Sequence, residues 1–140
     1  MPFHEKSAWI MIIALALGGL LYFSAILAGS SDAGALVSPR VPLIVLYTVC
    51  LTVISVIGHI VIAVLAPKEA NAPADERERL IIVRAGHFSS YLLGTGIVLS
   101  LGLYLVSGSG DLLFYAVFAS LMLGQIAEYV LQVIFYRTSL

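Results

Sequence analysis

Three ionisable residues stand within long apolar stretches of the sequence: His59, His87 and Glu128. An ionisable side chain inside a membrane span costs free energy, so its presence there suggests a function. Two imidazoles can supply the axial ligands of one haem, and two imidazoles with a carboxylate suit a divalent metal such as zinc or iron. A buried carboxylate can also exchange protons. These residues are the first candidates for a ligand, metal or cofactor site.

Further polar residues recur around these three at three- and four-residue spacing, which places them on shared helix faces. A polar stripe that faces lipid is expensive, so we expect each stripe to turn inward. In the simplest assembly the glutamate is hydrogen-bonded to His59, His87 or Tyr91. The predicted ligand-binding set consists of His59, His87, Glu128, Arg84, Tyr91, Gln125 and Gln132.

Four apolar stretches must position these residues, and each is long enough to cross a bilayer, which takes about 20 helical residues. They cover residues 8–28, 41–66, 80–106 and 112–136. The apolar runs are continuous and lack the alternation of barrel strands. The sequence therefore predicts an all-α, integral membrane four-helix bundle in which residues 1–140 form a single transmembrane domain.

The composition supports this class and excludes others. Hydrophobic residues make up 61% of the chain and charged residues 11%, whereas soluble domains contain about 25% charged residues. A net charge of -1 gives no indication of a nucleic-acid partner. The single cysteine, Cys50, excludes an internal disulfide framework. The first apolar run exceeds the 7–15 residues of a typical signal-peptide core, which favours a retained helix over a cleaved signal.

The distribution of Lys and Arg predicts the orientation, because cytoplasmic loops are enriched in both. One side of the predicted bundle has only Arg40. The other side collects Lys6, Lys68, Arg77, Arg79, Arg84 and Arg137. With an even number of spans, both termini and the charged connection are expected in the cytoplasm.

The charged connection leads directly into the third span. Asp75 and Glu78 have the spacing of a capping box, which predicts that the helix begins near Glu76, outside the bilayer. The alternating charges that follow are typical of a solvated helix start. A second interpretation makes the connection over residues 67–79 a docking surface for a cytoplasmic partner.

The three ionisable residues lie at similar distances from the cytoplasmic ends of their predicted spans. With a rise of about 1.5 Å per residue, His59 and His87 each lie about 10 Å from the cytoplasmic end of their spans. Glu128 lies about 13 Å from the end of the fourth span by the same rise. The sequence thus predicts a polar layer on the cytoplasmic side of the bilayer, formed by three different helices.

Small residues predict close helix packing. Gly86, Ser90 and Gly94 form a stripe on the third span, and Gly18 with Gly19 offers a similar surface on the first. Such stripes let membrane helices approach closely, either within one chain or between copies. A homo-oligomer is therefore one expected assembly, beside the lipid bilayer itself.

Three functions are compatible with the polar layer. The first is a non-catalytic membrane protein that binds a ligand or a protein partner through the layer. The second is a redox protein that holds haem or a metal through His59 and His87, with Glu128 as a third ligand. The third is an oligomeric, proton-coupled transporter in which Glu128 carries the proton. Hydrogen bonds between membrane helices are also ordinary packing contacts, worth about 0.6 kcal/mol on average.

One segment carries a resemblance to a known group of proteins. The run Asp75-Glu76-Arg77-Glu78-Arg79-Leu80-Ile81, followed by Arg84-Ala85, resembles a run before the third span of small, uncharacterised bacterial four-helix inner-membrane proteins. The resemblance covers about twenty residues. It implies a multi-pass protein of the bacterial plasma membrane and a non-catalytic role.

Overall fold

The computed structural model describes residues 3–138, of which all regular structure is helical. Four long helices, α1 (Phe3–Ala33), α2 (Val41–Leu65), α4 (Glu76–Ser107) and α5 (Gly110–Arg137), are joined by loops and by the short helix α3 (Pro67–Ala70). Each long helix is long and apolar enough to cross a membrane. The predicted all-α fold with four spans is confirmed to that extent, and every span except the second is longer at both ends than predicted.

Local sequence signals explain where the helices begin and end. Asp75 caps α4: its side chain accepts a hydrogen bond from the Glu76 amide at 2.7 Å, and Glu78 returns one to the Asp75 amide at 3.2 Å. The predicted capping box and helix start are confirmed. At the other end of α4, Gly108 takes a left-handed conformation with φ 66°, which side chains disfavour. The turn therefore closes with almost no loop between α4 and α5.

The four long helices form a row in the order α2, α1, α5, α4. Helix α1 packs against both α2 and α5, and α5 packs against α4. The rings of Tyr22, Tyr47 and Phe118 also bring α1, α2 and α5 together in one aromatic cluster, with Tyr47 and Phe118 centroids 5.4 Å apart. Helices α2 and α4 occupy the two ends of the row and do not pack along one another. Both described chain ends and α3 lie at the same end of the molecule, which we call the terminal end. The row differs from a closed bundle, in which all four helices would share one centre.

Glycines allow the helices of the row to approach closely. A Cβ atom at Gly18 would lie 2.9 Å from the Tyr47 ring on α2, and one at the adjacent Gly19 would collide with Met122 on α5. The predicted role of this glycine pair in close packing is confirmed, and each glycine serves a different neighbour of α1. Between α4 and α5, a Cβ at Gly96 would lie 2.6 Å from the Ser120 hydroxyl.

The stripe predicted on the third span is used only in part. Gly86 faces α5, where a Cβ would lie 3.8 Å from Oε1 of Glu128. Ser90 is exposed, and nothing lies within 4 Å of a Cβ placed at Gly94. The buried small residues of α4 are instead Ala85, Ser89 and Ser100. Ser89 and Ser100 donate their hydroxyls to carbonyls of their own helix, so their polar groups need no partner across the seam.

Most of the molecular surface along the helices is apolar. Helix α2 has no buried residue, and most of its exposed side chains are valine, isoleucine and leucine. Such a surface greatly exceeds the apolar patches of soluble monomers. The structure therefore has the character of a multi-pass membrane protein, with small cores at the seams between helices.

Candidate functional site

Three consecutive residues near the start of α1 connect this helix to three different elements. Glu5 accepts a hydrogen bond from Nε of Arg137 on α5 at 3.2 Å. Lys6 forms an ion pair with Glu69 of α3 at 2.9 Å. The predicted spans began after these residues, so this set of contacts was missed by sequence reasoning. The sequence feature that could have indicated these contacts is the polar run of residues 4–7, which directly precedes the apolar run of the first span.

The third of these residues, Ser7, contacts His59. Its hydroxyl lies 2.6 Å from Nε2 of the imidazole, and Nδ1 lies 2.7 Å from the carbonyl oxygen of Ser55. A carbonyl only accepts hydrogen bonds, so we assign the proton to Nδ1, which donates to Ser55. Nε2 then accepts the hydrogen bond from Ser7. Both ring nitrogens are engaged, and no lone pair of His59 remains for a metal or haem iron in this arrangement.

The Ser55 side chain completes this cluster, since its hydroxyl lies 3.2 Å from the sulfur of Met11. We call Ser7, Met11, Ser55 and His59 the α1–α2 cluster. Each polar side chain in it has a partner on its own helix or on the facing one. The cluster is therefore a helix-to-helix contact whose hydrogen-bonding capacity is already used.

Glu128 lies elsewhere, on α5 at the seam with α4. Its side chain is partly buried and its Oε1 packs over Gly86. The hydrogen bonds found over residues 3–138 include none from Glu128 to His59, His87 or Tyr91, so the predicted simplest assembly does not form. On the same helix Gln132 is buried and Gln125 is exposed.

His87 and Tyr91 lie on the side of α4 that faces away from α5, and Arg84 lies at the edge of that side. The seam side is marked by Ile81, Ala85 and Ser89, which are buried. At about 100° per residue, His87 is turned roughly 200° from Ala85. We call Arg84, His87 and Tyr91 the outer polar face.

The other helices leave the outer polar face largely uncovered. All three of its residues are exposed, Tyr91 to 63%. The imidazole of His87 packs edge-on against the Tyr91 ring, with centroids 4.9 Å apart. In the described part of the chain, none of the three side chains forms a hydrogen bond or ion pair with another element. The expectation that this stripe turns inward was wrong, because α4 packs chiefly against α5 and has its buried small residues on the opposite side.

The predicted polar layer is therefore divided among three places in the row: the α1–α2 cluster, the α4–α5 seam and the outer polar face. Residues 3–138 contain no group of three His, Cys, Asp or Glu placed to hold one metal ion. Nothing in the geometry brings His59, His87 and Glu128 into a common ligand set. The roles of the individual residues in binding stay predictions.

A groove opens near the outer polar face, between the start of α4 and the end of α5, with a cavity volume of about 330 Å³. Charged and apolar side chains both line it. We call it the cationic groove; it is lined by Glu76, Arg77, Leu80, Ile81, Arg84 and Phe135. Arg84 thus belongs both to the groove and to the outer polar face.

Comparison with protein-family models, with curated proteins and with solved structures gives no match to this chain in any of the three.

Proposed function

We propose that this chain is a non-catalytic, multi-pass protein of the bacterial plasma (inner) membrane that binds a ligand or a protein partner through polar residues near its terminal end. In this proposal the terminal end is cytoplasmic and the outer polar face is the binding surface. The observation that carries the proposal is the exposure of Arg84, His87 and Tyr91 within a helix of membrane-spanning length.

The cost of intramembrane charge supports this choice of surface. An arginine at the centre of a span costs about 2.5–3.5 kcal/mol on insertion scales. Arg84 lies near the helix end and can reduce that cost by extending toward the interface. His87 and Tyr91 lie one and two turns deeper, and a bound partner would remove the cost of presenting their polar atoms to lipid. The α1–α2 cluster has no such requirement, because its polar groups already have partners.

The two alternatives have weaker support. The haem or metal proposal needs a free ring nitrogen on His59, and both nitrogens are engaged. The transporter proposal needs a polar path through the bilayer, whereas Glu128 packs against Gly86 at a seam. The non-catalytic binding proposal requires only the surface that the fold exposes.

Photo-crosslinking from inside the membrane tests the proposal. A benzophenone amino acid is placed at Tyr91, and a matched probe is placed at Val53, an exposed apolar residue of α2. After irradiation of native membranes, the mass of the intact protein is measured. We expect one dominant adduct from position 91 and a mixture of lipid adducts from position 53.

A second variant makes the adduct diagnostic. His87→Ala, combined with the probe at position 91, should remove the dominant adduct without changing the amount of inserted protein. Equal adduct patterns at positions 91 and 53, or an adduct that survives His87→Ala, would count against the outer polar face as a binding surface.

The orientation is tested by labelling single cysteines from either side of sealed vesicles. In a Cys50→Ala background, Ala72→Cys in the loop after α3 should react only from the cytoplasmic side. Ala35→Cys, in the loop between α1 and α2, should react only from the opposite side. The reverse pattern would invert the proposed topology.

A further inference from the structure

The cationic groove has two arginines without an ion-pair partner in the described part of the chain. Arg77 and Arg84 are seven residues apart, about two helical turns, so they project from the same side of α4 with a rise of about 10 Å between them. Glu76 is the one acidic residue of the lining. The lining therefore has an excess of positive charge and can hold an anion of some length.

Apolar side chains lie between and beside the arginines. Leu80 is 64% exposed, and Ile81 and Phe135 form the remaining apolar part of the lining. A free inorganic anion gains nothing from these contacts. A molecule with an anionic head and an apolar tail uses both kinds of lining, because apolar surface removed from water or packed on lipid tails is stabilised.

The position of the groove fits such a molecule. Helix α4 begins with the charged residues of its capping box and continues directly into its apolar segment. The groove lies at this transition, where lipid headgroups meet acyl chains in the proposed membrane arrangement. Basic pockets between membrane helices on the cytoplasmic side are suited to acidic headgroups.

We propose that the cationic groove binds one acidic phospholipid. Arg77 and Arg84 bind its phosphate oxygens, and the first part of an acyl chain lies along Leu80 and Phe135. The bound lipid thereby joins the start of α4 to the end of α5. This inference rests on the membrane arrangement of the proposed function and shares Arg84 with the outer polar face.

Lipid titration of the intact chain tests the proposal. The protein is purified in detergent, stripped of lipid, and titrated with phosphatidylglycerol, while native mass spectrometry counts the bound lipids. Phosphatidylcholine and inorganic phosphate are the comparison probes. We expect one phosphatidylglycerol to bind at least ten-fold more tightly than phosphatidylcholine, and millimolar phosphate to leave it bound.

Charge-matched variants locate the site. Arg77→Gln and Arg84→Gln should each weaken phosphatidylglycerol binding by about five-fold, since one basic residue near a lipid surface contributes about 1 kcal/mol. Arg79→Gln removes the same charge from the same segment but does not line the groove, so it should leave binding unchanged. Circular dichroism confirms that each variant retains its helices.

Three results would overturn the proposal. They are equal affinity for the two lipids, displacement of the lipid by millimolar phosphate, and an Arg79→Gln effect as large as that of Arg77→Gln. The last would indicate a diffuse charge effect. Failure here is distinguishable from failure of the proposed function, because Arg77 lies outside the outer polar face and His87 lies outside the groove.

Discussion

The α1–α2 cluster and the outer polar face contain similar side chains in opposite states. His59 has both ring nitrogens in hydrogen bonds and is partly buried between two helices. His87 is exposed, and its contact is with Tyr91 of its own helix. From the sequence the two histidines look equivalent, since each stands about 10 Å inside its span by helical rise.

This difference shows which polar residues of a membrane helix invite a functional interpretation. A polar group with partners on the facing helix acts as a packing contact, with a contribution of about 0.6–1.7 kcal/mol. A polar group that is exposed on an apolar helix and has no partner among the described residues is not explained by packing. The three predictions that follow compare one substitution inside the packed row with a matched one on the outer side of α4.

The largest contrast is expected from two glycines of α4. Gly96→Val should lower the free energy of unfolding by about 3 kcal/mol, because its Cβ would lie 2.8 Å from Cβ of Ser120. Gly94→Val should change it by less than about 0.5 kcal/mol, since nothing lies within 4 Å of that position. Unfolding by SDS titration in mixed micelles measures both values. Equal losses would mean that the outer side of α4 is packed against another copy under those conditions.

The two histidines give the intermediate contrast. His59→Ala removes the hydrogen bonds to Ser7 and to the Ser55 carbonyl, so it should cost about 1–2 kcal/mol in the same unfolding experiment. His87→Ala should cost less than about 0.5 kcal/mol, because it removes only a contact within α4. Ser7→Ala should lower the free energy of unfolding by less in a His59→Ala background than in the unaltered chain, because the hydrogen bond between the two residues is already lost there. A larger loss for His87→Ala than for His59→Ala would contradict the assignment of His59 to packing and of His87 to an exposed surface.

Two arginines give the smallest contrast. Arg137→Gln should cost about 1 kcal/mol, because it leaves the carboxylate of Glu5 buried without its ion-pair partner. The loss is small for such a pair since the Arg137 side chain is 60% exposed and solvent screens the interaction. Arg84→Gln in lipid-free micelles should have no measurable effect on unfolding. A cost for Arg84→Gln that appears only after phosphatidylglycerol is added would connect this comparison to the cationic groove.

The helices and their ends could be predicted because they depend on local sequence. Length and hydropathy are sufficient for four spans, and the capping box of Asp75 and Glu78 places the start of α4 at Glu76. The Gly18–Gly19 pair similarly predicts a close approach. These signals need no knowledge of which helix lies beside which.

The arrangement of the candidate site could not be predicted in the same way. Depth along a span is a one-dimensional quantity, whereas the neighbour of His59 depends on the order of helices in the row. Sequence reasoning placed Glu128 beside His59, His87 or Tyr91. The structure places His59 beside Ser7 instead, because α2 packs on α1. A polar stripe also has two ways to avoid isolation, by turning inward or by meeting a partner, and hydropathy does not distinguish them.

The contact between Glu5 and Arg137 joins residues that are 132 positions apart. In the proposed membrane arrangement α1 is synthesised before α5, so we expect its Gly19 side to remain without its partner until the α4–α5 hairpin has been inserted. This order predicts assembly in two stages, first the α1–α2 pair and then the docking of the hairpin. Separate expression of residues 1–72 and 73–140 would make this late step accessible, because the division falls in a loop between the two halves.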